Sequence, residues 1–519
     1  MDQVDWGGVA VVVVMYTVFL LMGWLAVGKL KNRDAADLLV AGRAMPVWIA
    51  VITMTATWVD GGYLLGTAEY TYKHGITYGA QGGVCFGISL ILGGLFFAAR
   101  MRRMEFSTMV DAFDVRYGPR WSAVLACPAM FGELLWSGAL LVAIGSTFGE
   151  LLNLDLTSAI LLSAVVVTTY TVVGGMWSVA YTDVLQLGLI PIGLLAALPF
   201  TLDHAGGLAH SIEVYTQGHP STSRLLPPFH TGDGTWTAPA IVAWWDMTIM
   251  LICGGIPWNC YFQRVLSCES PAKARQHSIL AGLLTSLLTI PPLLLGIAAF
   301  AIYGPNGIEP ASSTLPRLLN EIVPYPVMLL GLGAIVGAVT SSFSASILSA
   351  GAMFSWNIYR PLMAPHASSA RLETVIRISI LGLGIAAVML ALQVKSVAAL
   401  WLFTADLVFV LLFPQLIMAL YDRKANLAGS LTAFFLSLLL RLGGGMSLET
   451  DAGVIGYAAF IPYAEIFAGI LPGSSSDWYD SVGATKFPVR TFAMLAGLII
   501  MPIVSRLTSA FRADNRKPG

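Results

Sequence analysis

Long runs of apolar residues, following one another through nearly the whole chain, constrain this sequence more than any other feature. Reading runs of roughly 17 to 30 residues as membrane spans places helices near 6–28, 46–68, 79–99, 120–150, 157–176, 182–200, 237–260, 277–303, 326–355, 374–393, 398–420, 425–443 and 487–506. That makes about thirteen spans by the length rule for a bilayer. Of 519 residues, 56% are hydrophobic and only 11% charged, against about 25% charged in an ordinary soluble domain. A soluble fold could not solvate such a surface. The expectation is one polytopic α-helical domain over residues 1–519, embedded in a lipid bilayer.

A formal net charge of -1 gives no field that would recruit nucleic acid, so charge matters here by location. With the N-terminus outside, the inner loops hold residues 29–34, 99–103, Arg264 with Lys273 and Arg275, Arg360 with Arg371, Asp422-Arg423-Lys424, and the tail residues Arg512, Arg516 and Lys517. Roughly 21 of the 28 basic residues then lie inside and about five outside, a strong positive-inside bias. The C-terminal segment 507–519 is expected to be cytoplasmic. The longest polar segments, 201–236 and 444–486, fall outside and are rich in Gly, Pro, Ser and Thr, as loops are. The opening MDQVDWGG lacks a basic region and a small-residue cleavage site, so the first apolar run is expected to be a retained helix.

Two spans are interrupted at corresponding places. The second reads TMTATWVDGGYLLGTAE (53–69), with Asp60 at mid-membrane depth, and the seventh reads MLICGGIPWNCYFQR (250–264), with Gly254-Gly255 and Pro257 together. A Pro removes a backbone donor and paired Gly weakens the same turn. Freed carbonyls and amides at that depth are tolerated only where they line a cavity or lie buried in protein. The breaks are five helices apart, which points to an inverted five-plus-five repeat of spans 2–6 and 7–11, with its sites at the breaks. Either break alone is also what an ordinary Gly/Pro kink would look like.

The ninth span carries Thr340, Ser341, Ser342, Ser344 and Ser346, five hydroxyls in seven residues. Hydroxyl and carbonyl oxygens suit a small hard cation such as sodium, although a small-residue helix interface uses the same residues. Carboxylates inside spans are costly and read as functional until shown otherwise; Asp60, Glu69, Glu133, Asp183, Asp246 and Asp406 are the candidates. Asp183 also fits a solvated helix cap, and Glu69 a charge in a vestibule. Trp58 and Trp258 each lie beside a break, where a ring can face the cavity. A quaternary ammonium cannot donate a hydrogen bond, so aromatic faces are what recognise it.

Other chemistry is missing. The seven His show no metal-ligand spacing, and four of the five Cys fall in apolar segments, which is no disulfide framework. The string Gly23–Leu30 nearly matches a phosphate loop but ends in Leu where Ser or Thr would hold magnesium, so ATP-driven transport has no support. The expectation is a transporter and not an enzyme, with no organic cofactor.

The segments TMTATWVDGGYLLGTAE, SLILGGLFFA (89–98), TTYTVVGGMWSVAYTDVLQ (168–186), GGIPWNCYFQRVLS (254–267), SSFSASILSA (341–350) and DLVFVLLFPQL (406–416) resemble the sodium/solute symporter family, and within it the members that carry choline. The likeness runs from about residue 46 to 445 and continues weakly to KFPVRTFAML (486–495). It implies a LeuT-type core and sodium-driven inward transport of choline. The family's aromatic cage would fall on Trp58, Trp136, Trp258 and Trp401, with Phe86 standing where a tyrosine is usual. Its sodium site would fall on the carbonyls of Val51, Met54 and Ala338 and the hydroxyls of Ser341 and Ser342. Two departures stand out. Ser344 replaces an acid of the animal choline-carrying members, which leaves a second sodium site on Asp183 and Ser344 in doubt. Asp60 replaces a Gly, either as a counter-charge for the ammonium or as a group facing the outer vestibule, the second being the expectation. The nearest alternatives are the same fold carrying betaine, proline or another small solute, and, from another class, a channel or a transport-like sensor.

Overall fold

The computed structural model describes residues 4–30, 35–232, 235–393, 405–450 and 453–514. Its long helices are α1 (Trp6–Lys29), α2 (Val47–Trp58), α3 (Gly61–His74), α4 (Ile76–Arg103), α5 (Pro119–Leu152), α6 (Leu156–His204), α7 (Ala238–Gly254), α8 (Asn259–Ser267), α9 (Pro271–Tyr303), α10 (Tyr325–Met363), α11 (Ser369–Gln393), α12 (Ala405–Tyr421), α13 (Leu427–Gly443) and α14 (Val489–Ser509). Among the described residues, nine apolar helical stretches are long enough to cross a bilayer, and α2, α12 and α13 are shorter apolar helices. The apolar side chains that face outward form bands instead of scattered points. On α11, Ile378, Leu381, Ile385, Met389 and Leu392 are all exposed at helical spacing, a face that only lipid can cover.

The centre of the bundle is α10. Every residue from Gly331 to Met353 is buried, so its row of hydroxyls lies wholly inside protein, against α2, α5 and α6. The two predicted spans 157–176 and 182–200 appear as one helical run, α6, of 49 residues. Straight, it would measure about 74 Å, more than twice the hydrocarbon core. It is not straight. Gln186 Nε2 lies 3.4 Å from Tyr170 Oη, whereas 16 residues of straight helix would separate them by about 24 Å. The chain folds back at Gly175, whose φ of 55° and ψ of -138° belong to a region that side chains avoid. A Cβ there would also lie 2.5 Å from the carbonyl oxygen of Leu38.

The polar segments hold more structure than loops alone. Leu208–Gly218 is a helix, and Met446–Thr450 pairs antiparallel with Gly453–Tyr457. Tyr463, Phe467, Phe487 and Phe492 meet in a small aromatic core, Phe487 stacked against Tyr463 and Phe467, and Phe492 edge-on to them.

Gly175→Ala is expected to lower the midpoint of thermal unfolding in detergent by several degrees. Gly188→Ala, whose added Cβ would meet nothing within 4 Å, should leave it unchanged. A nanoscale fluorimetry melt of the two variants checks both, and equal melts would remove the fold-back from its role in stability.

Candidate substrate and ion sites

Both expected helix breaks are present, and they face each other. Helix α2 ends at Trp58, Val59 leaves the helical region (φ -90°, ψ 71°), and Asp60 is extended and caps α3, its Oδ1 accepting from Tyr63 N at 2.6 Å. Helix α7 stops at Gly254, and Gly255-Ile256-Pro257 leads to an extended Trp258 before α8. Gly254 is needed for closeness: a Cβ there would lie 2.8 Å from Phe409 Cβ of α12. Glu133 Oε1 accepts from Cys260 N at 3.4 Å and from Ser349 Oγ at 2.5 Å, placing a carboxylate against the first amides of α8, where a helix favours negative charge.

Four rings meet at the breaks. Trp58 and Phe86 lie 5.2 Å apart between centroids, and Trp136 meets Trp258 edge to face at 5.6 Å. Together with Asp60, Met250, Leu251, Gly254, Gly255 and Ala405 they enclose a pocket of about 30 Å³, the room of a single water. Asp60 is 3% exposed and its Oδ2 accepts from Trp136 Nε1 at 2.6 Å, so it belongs to the pocket wall and not to the vestibule expected for it. Trp58 Nε1 is buried with no partner. Trp401 lies outside the described residues.

Below the rings, α10 meets the end of α2. Ser341 Oγ donates to Ala56 O at 2.8 Å and to Ala338 O at 3.0 Å, and Ser342 Oγ donates to Thr57 O at 2.8 Å. Five hard oxygens therefore converge: two hydroxyls and three carbonyls. These hydroxyl partners on α2 are the carbonyls of Ala56 and Thr57, next to the break, while Val51 and Met54 lie earlier in the same helix, where Val51 O accepts from Thr55 Oγ1 at 2.8 Å.

The model of the Sodium:solute symporter family matches residues 38–436. The chain belongs to that family. The symporter is 35% identical to the high affinity choline transporter 1 of Homo sapiens over 96% of its own length and 85% of that protein's. It is also 35% identical to the high-affinity choline transporter 1 of Drosophila melanogaster, over 99% and 80%. Its fold is that of a sodium-coupled sialic acid symporter solved in a substrate-bound, outward-open state, with a TM-score of 0.78 over 96% of this chain and 97% of that one at 17% identity. A nucleobase-cation-symport-1 family transporter in a closed conformation with bromovinylhydantoin bound superposes with a TM-score of 0.54, over 92% and 96%, at 13% identity. The symporter thus has the LeuT-type inverted-repeat core that the paired breaks predicted.

The symporter's other buried acids are paired. Asp183 Oδ2 takes a short hydrogen bond from Thr53 Oγ1 and lies 3.5 Å from Arg264 Nη2, with both side chains fully buried. It is neither a solvated cap nor joined to Ser344, whose Oγ donates to Ser341 O at 2.8 Å. Arg264 was expected in an inner loop. It lies in α8 instead, with Nε 3.1 Å from Thr53 O and Nη1 3.0 Å from Cys260 O. Its signal in the sequence is distance from the Trp258 break: six residues on, the helix that leaves the break has not yet reached the surface. Asp246 pairs with Arg490 at 3.4 Å, and Asp406 pairs with Arg441 at 2.5 Å and Arg490 at 3.3 Å.

A large cavity opens toward the breaks. A cavity of about 470 Å³, lined from α3, α4 and α7 and by Glu69, Lys486 and Arg490, reaches Phe86 and Leu251 of the small pocket. On the other side of the breaks, Met45 N donates to Ser267 O at 3.0 Å, Arg102 Nε donates to Cys268 O at 2.6 Å, and Arg264 ties α8 to α2 and α6.

Removing one partner of a buried pair leaves the other charge uncompensated, at a cost of about 3–5 kcal/mol. Arg264→Met is therefore expected to lower the melting midpoint markedly, and the double variant Arg264→Met/Asp183→Asn to regain most of the loss. Additive losses in the two single variants and the double would show that the charges do not act as a pair.

Proposed function

We propose that the symporter imports choline, driven by sodium, by alternating access around the two helix breaks. One observation carries the reading: four aromatic rings close on a pocket walled by one carboxylate, in a chain whose curated relatives are named as choline transporters. A quaternary ammonium offers no hydrogen to an acceptor and is held by ring faces at about 0.5–2 kcal/mol each. The substrate site comprises Trp58, Phe86, Trp136 and Trp258, with Trp401 as a further ring. The unpartnered Trp58 Nε1–H is a donor that choline's hydroxyl can accept from.

A pocket of about 30 Å³ does not hold choline, so the rings must part when it binds. The large cavity beside Phe86 gives them the space and choline its approach. Sodium binds between α2 and α10 on the carbonyls of Val51, Met54 and Ala338 and the hydroxyls of Ser341 and Ser342, which in this structure donate to Ala56 O and Thr57 O at the break. Each hydroxyl now donates to a carbonyl; a cation among the same five oxygens lets both hydroxyls turn their lone pairs inward. Sodium there braces α2 against α10 and holds the ring-bearing break in its binding shape. A second ion position would fall on Asp183 and Ser344, where Arg264 already supplies positive charge to Asp183.

The N-terminus lies outside and the chain crosses the plasma membrane about thirteen times, by the basic-residue bias and span lengths, with 201–236 and 444–486 extracellular and 507–519 cytoplasmic. The 470 Å³ cavity then faces out and the Arg264 side is closed inward. A seal on one side favours a carrier over a channel. One sodium moving in down 100 mV supplies about 2.3 kcal/mol, enough for roughly fortyfold accumulation at a tenfold change per 1.4 kcal/mol.

Proteoliposomes given an inward sodium gradient should accumulate radiolabelled choline, and those without the gradient should not; sodium-independent equilibration would sink the proposal. Trp258→Ala is expected to raise the choline KM about 2- to 30-fold, the loss of one ring face. Ser342→Ala should raise the sodium concentration for half-maximal uptake while leaving the choline KM at saturating sodium nearly unchanged. Both are read from initial uptake rates.

A further inference from the structure

We propose that Asp60 is the counter-charge of the aromatic cage, and that it restricts the site to cations carrying no negative group of their own. The proposal rests on the choline reading above and names what that site selects.

Asp183, Asp246 and Asp406 are each 4% exposed or less, and each has an arginine within 3.5 Å. Asp60 is buried to the same degree, at 3%, yet its partners are the neutral donors Tyr63 N and Trp136 Nε1, both at 2.6 Å; Glu133, 1% exposed, is likewise held by the neutral donors Cys260 N and Ser349 Oγ, but it is not among the residues that line the small pocket. Among the described residues no arginine, lysine or histidine forms an ion pair with it, and it is the one charged residue of the ten that line the small pocket. An ionised carboxylate in an apolar interior is costly unless compensated. Here each oxygen already holds a donor, so what the group lacks is positive charge and not a hydrogen bond. A quaternary ammonium supplies charge and no hydrogen bond.

The same geometry works against other solutes. The trimethylammonium of glycine betaine fits the ring faces as well as that of choline does, but its own carboxylate would enter the pocket beside Asp60, and like charges at close range in low dielectric are mutually destabilising. A neutral isostere gains the ring contacts and nothing from the acid.

Asp60 also caps α3, so a purely structural role must be separable. Asn and Ser both serve as N-caps, and Glu keeps the charge. In proteoliposomes with a saturating sodium gradient, uptake of radiolabelled choline is competed with unlabelled choline, glycine betaine and 3,3-dimethyl-1-butanol, the carbon isostere of choline. For Asp60→Asn and Asp60→Ser, choline affinity is expected to fall at least tenfold. The isostere should change less than threefold and betaine should compete no worse than before, so the preference for choline over both collapses. Asp60→Glu should keep that preference. If the neutral variants weaken all three ligands alike, leave choline unaffected, or shift only the sodium concentration for half-maximal uptake, the counter-charge proposal is overturned while sodium-driven choline import stands. If the unaltered protein accumulates no choline under a sodium gradient, the choline reading itself falls, and this proposal with it.

Discussion

Inside a bilayer no water is available to a bare amide or carbonyl, so a helix can be broken only where protein or cargo takes over the hydrogen bonds it gives up. The symporter breaks two helices at that depth, and side chains take up groups that the breaks free. Asp60 takes the first turn of α3, Glu133 takes that of α8, and Ser341 and Ser342 donate to the carbonyls left at the end of α2. The sites are made of these substitutes. The sites proposed for choline and sodium draw on these same groups, Asp60 at one and Ser341 and Ser342 at the other.

This explains why α10 is buried without a gap from Gly331 to Met353. A helix with five hydroxyls in seven residues would be poorly matched to lipid, but pressed against the broken α2 its Ser341 and Ser342 hydroxyls find the carbonyls of Ala56 and Thr57, while Ser346 donates to Glu133 O of α5 and Thr340 and Ser344 bond back within α10. Small residues let the two backbones come close, and the hydroxyls make that closeness favourable. The interface reading and the ion-site reading of these serines are two uses of one packing arrangement.

The apolar runs, the paired Gly/Pro interruptions and the hydroxyl row were legible in the sequence because each is a local pattern with a physical cause. The ring-bearing positions Trp58 and Trp258 were legible for the same reason, since each adjoins its break. What escaped were pairings between distant segments. Arg264 looked like a loop cation because the loop beyond it is basic, and its contact with Asp183 spans 81 residues. The bond from Trp136 to Asp60 spans 76, and without it Asp60 reads as a vestibule group. The fold-back at Gly175 was hidden differently: spans five and six were seen, but a single Gly held at positive φ carries the reversal, and nothing in a Gly-Gly pair announces which of the two does so.

Charge separates the two ends of the broken helices. On the cavity side, the acid of the cage has no basic partner among the described residues, and its neighbours are rings that attract cations through their faces. On the sealed side, Arg264 is bonded to Thr53, Cys260 and Asp183, a fixed positive charge just beyond the cage. Its charge is matched by Asp183, so a compensated pair ties α8 to α6 on this side. Any inward opening on this side would have to part α8 from α2 and α6, which the Arg264 contacts join.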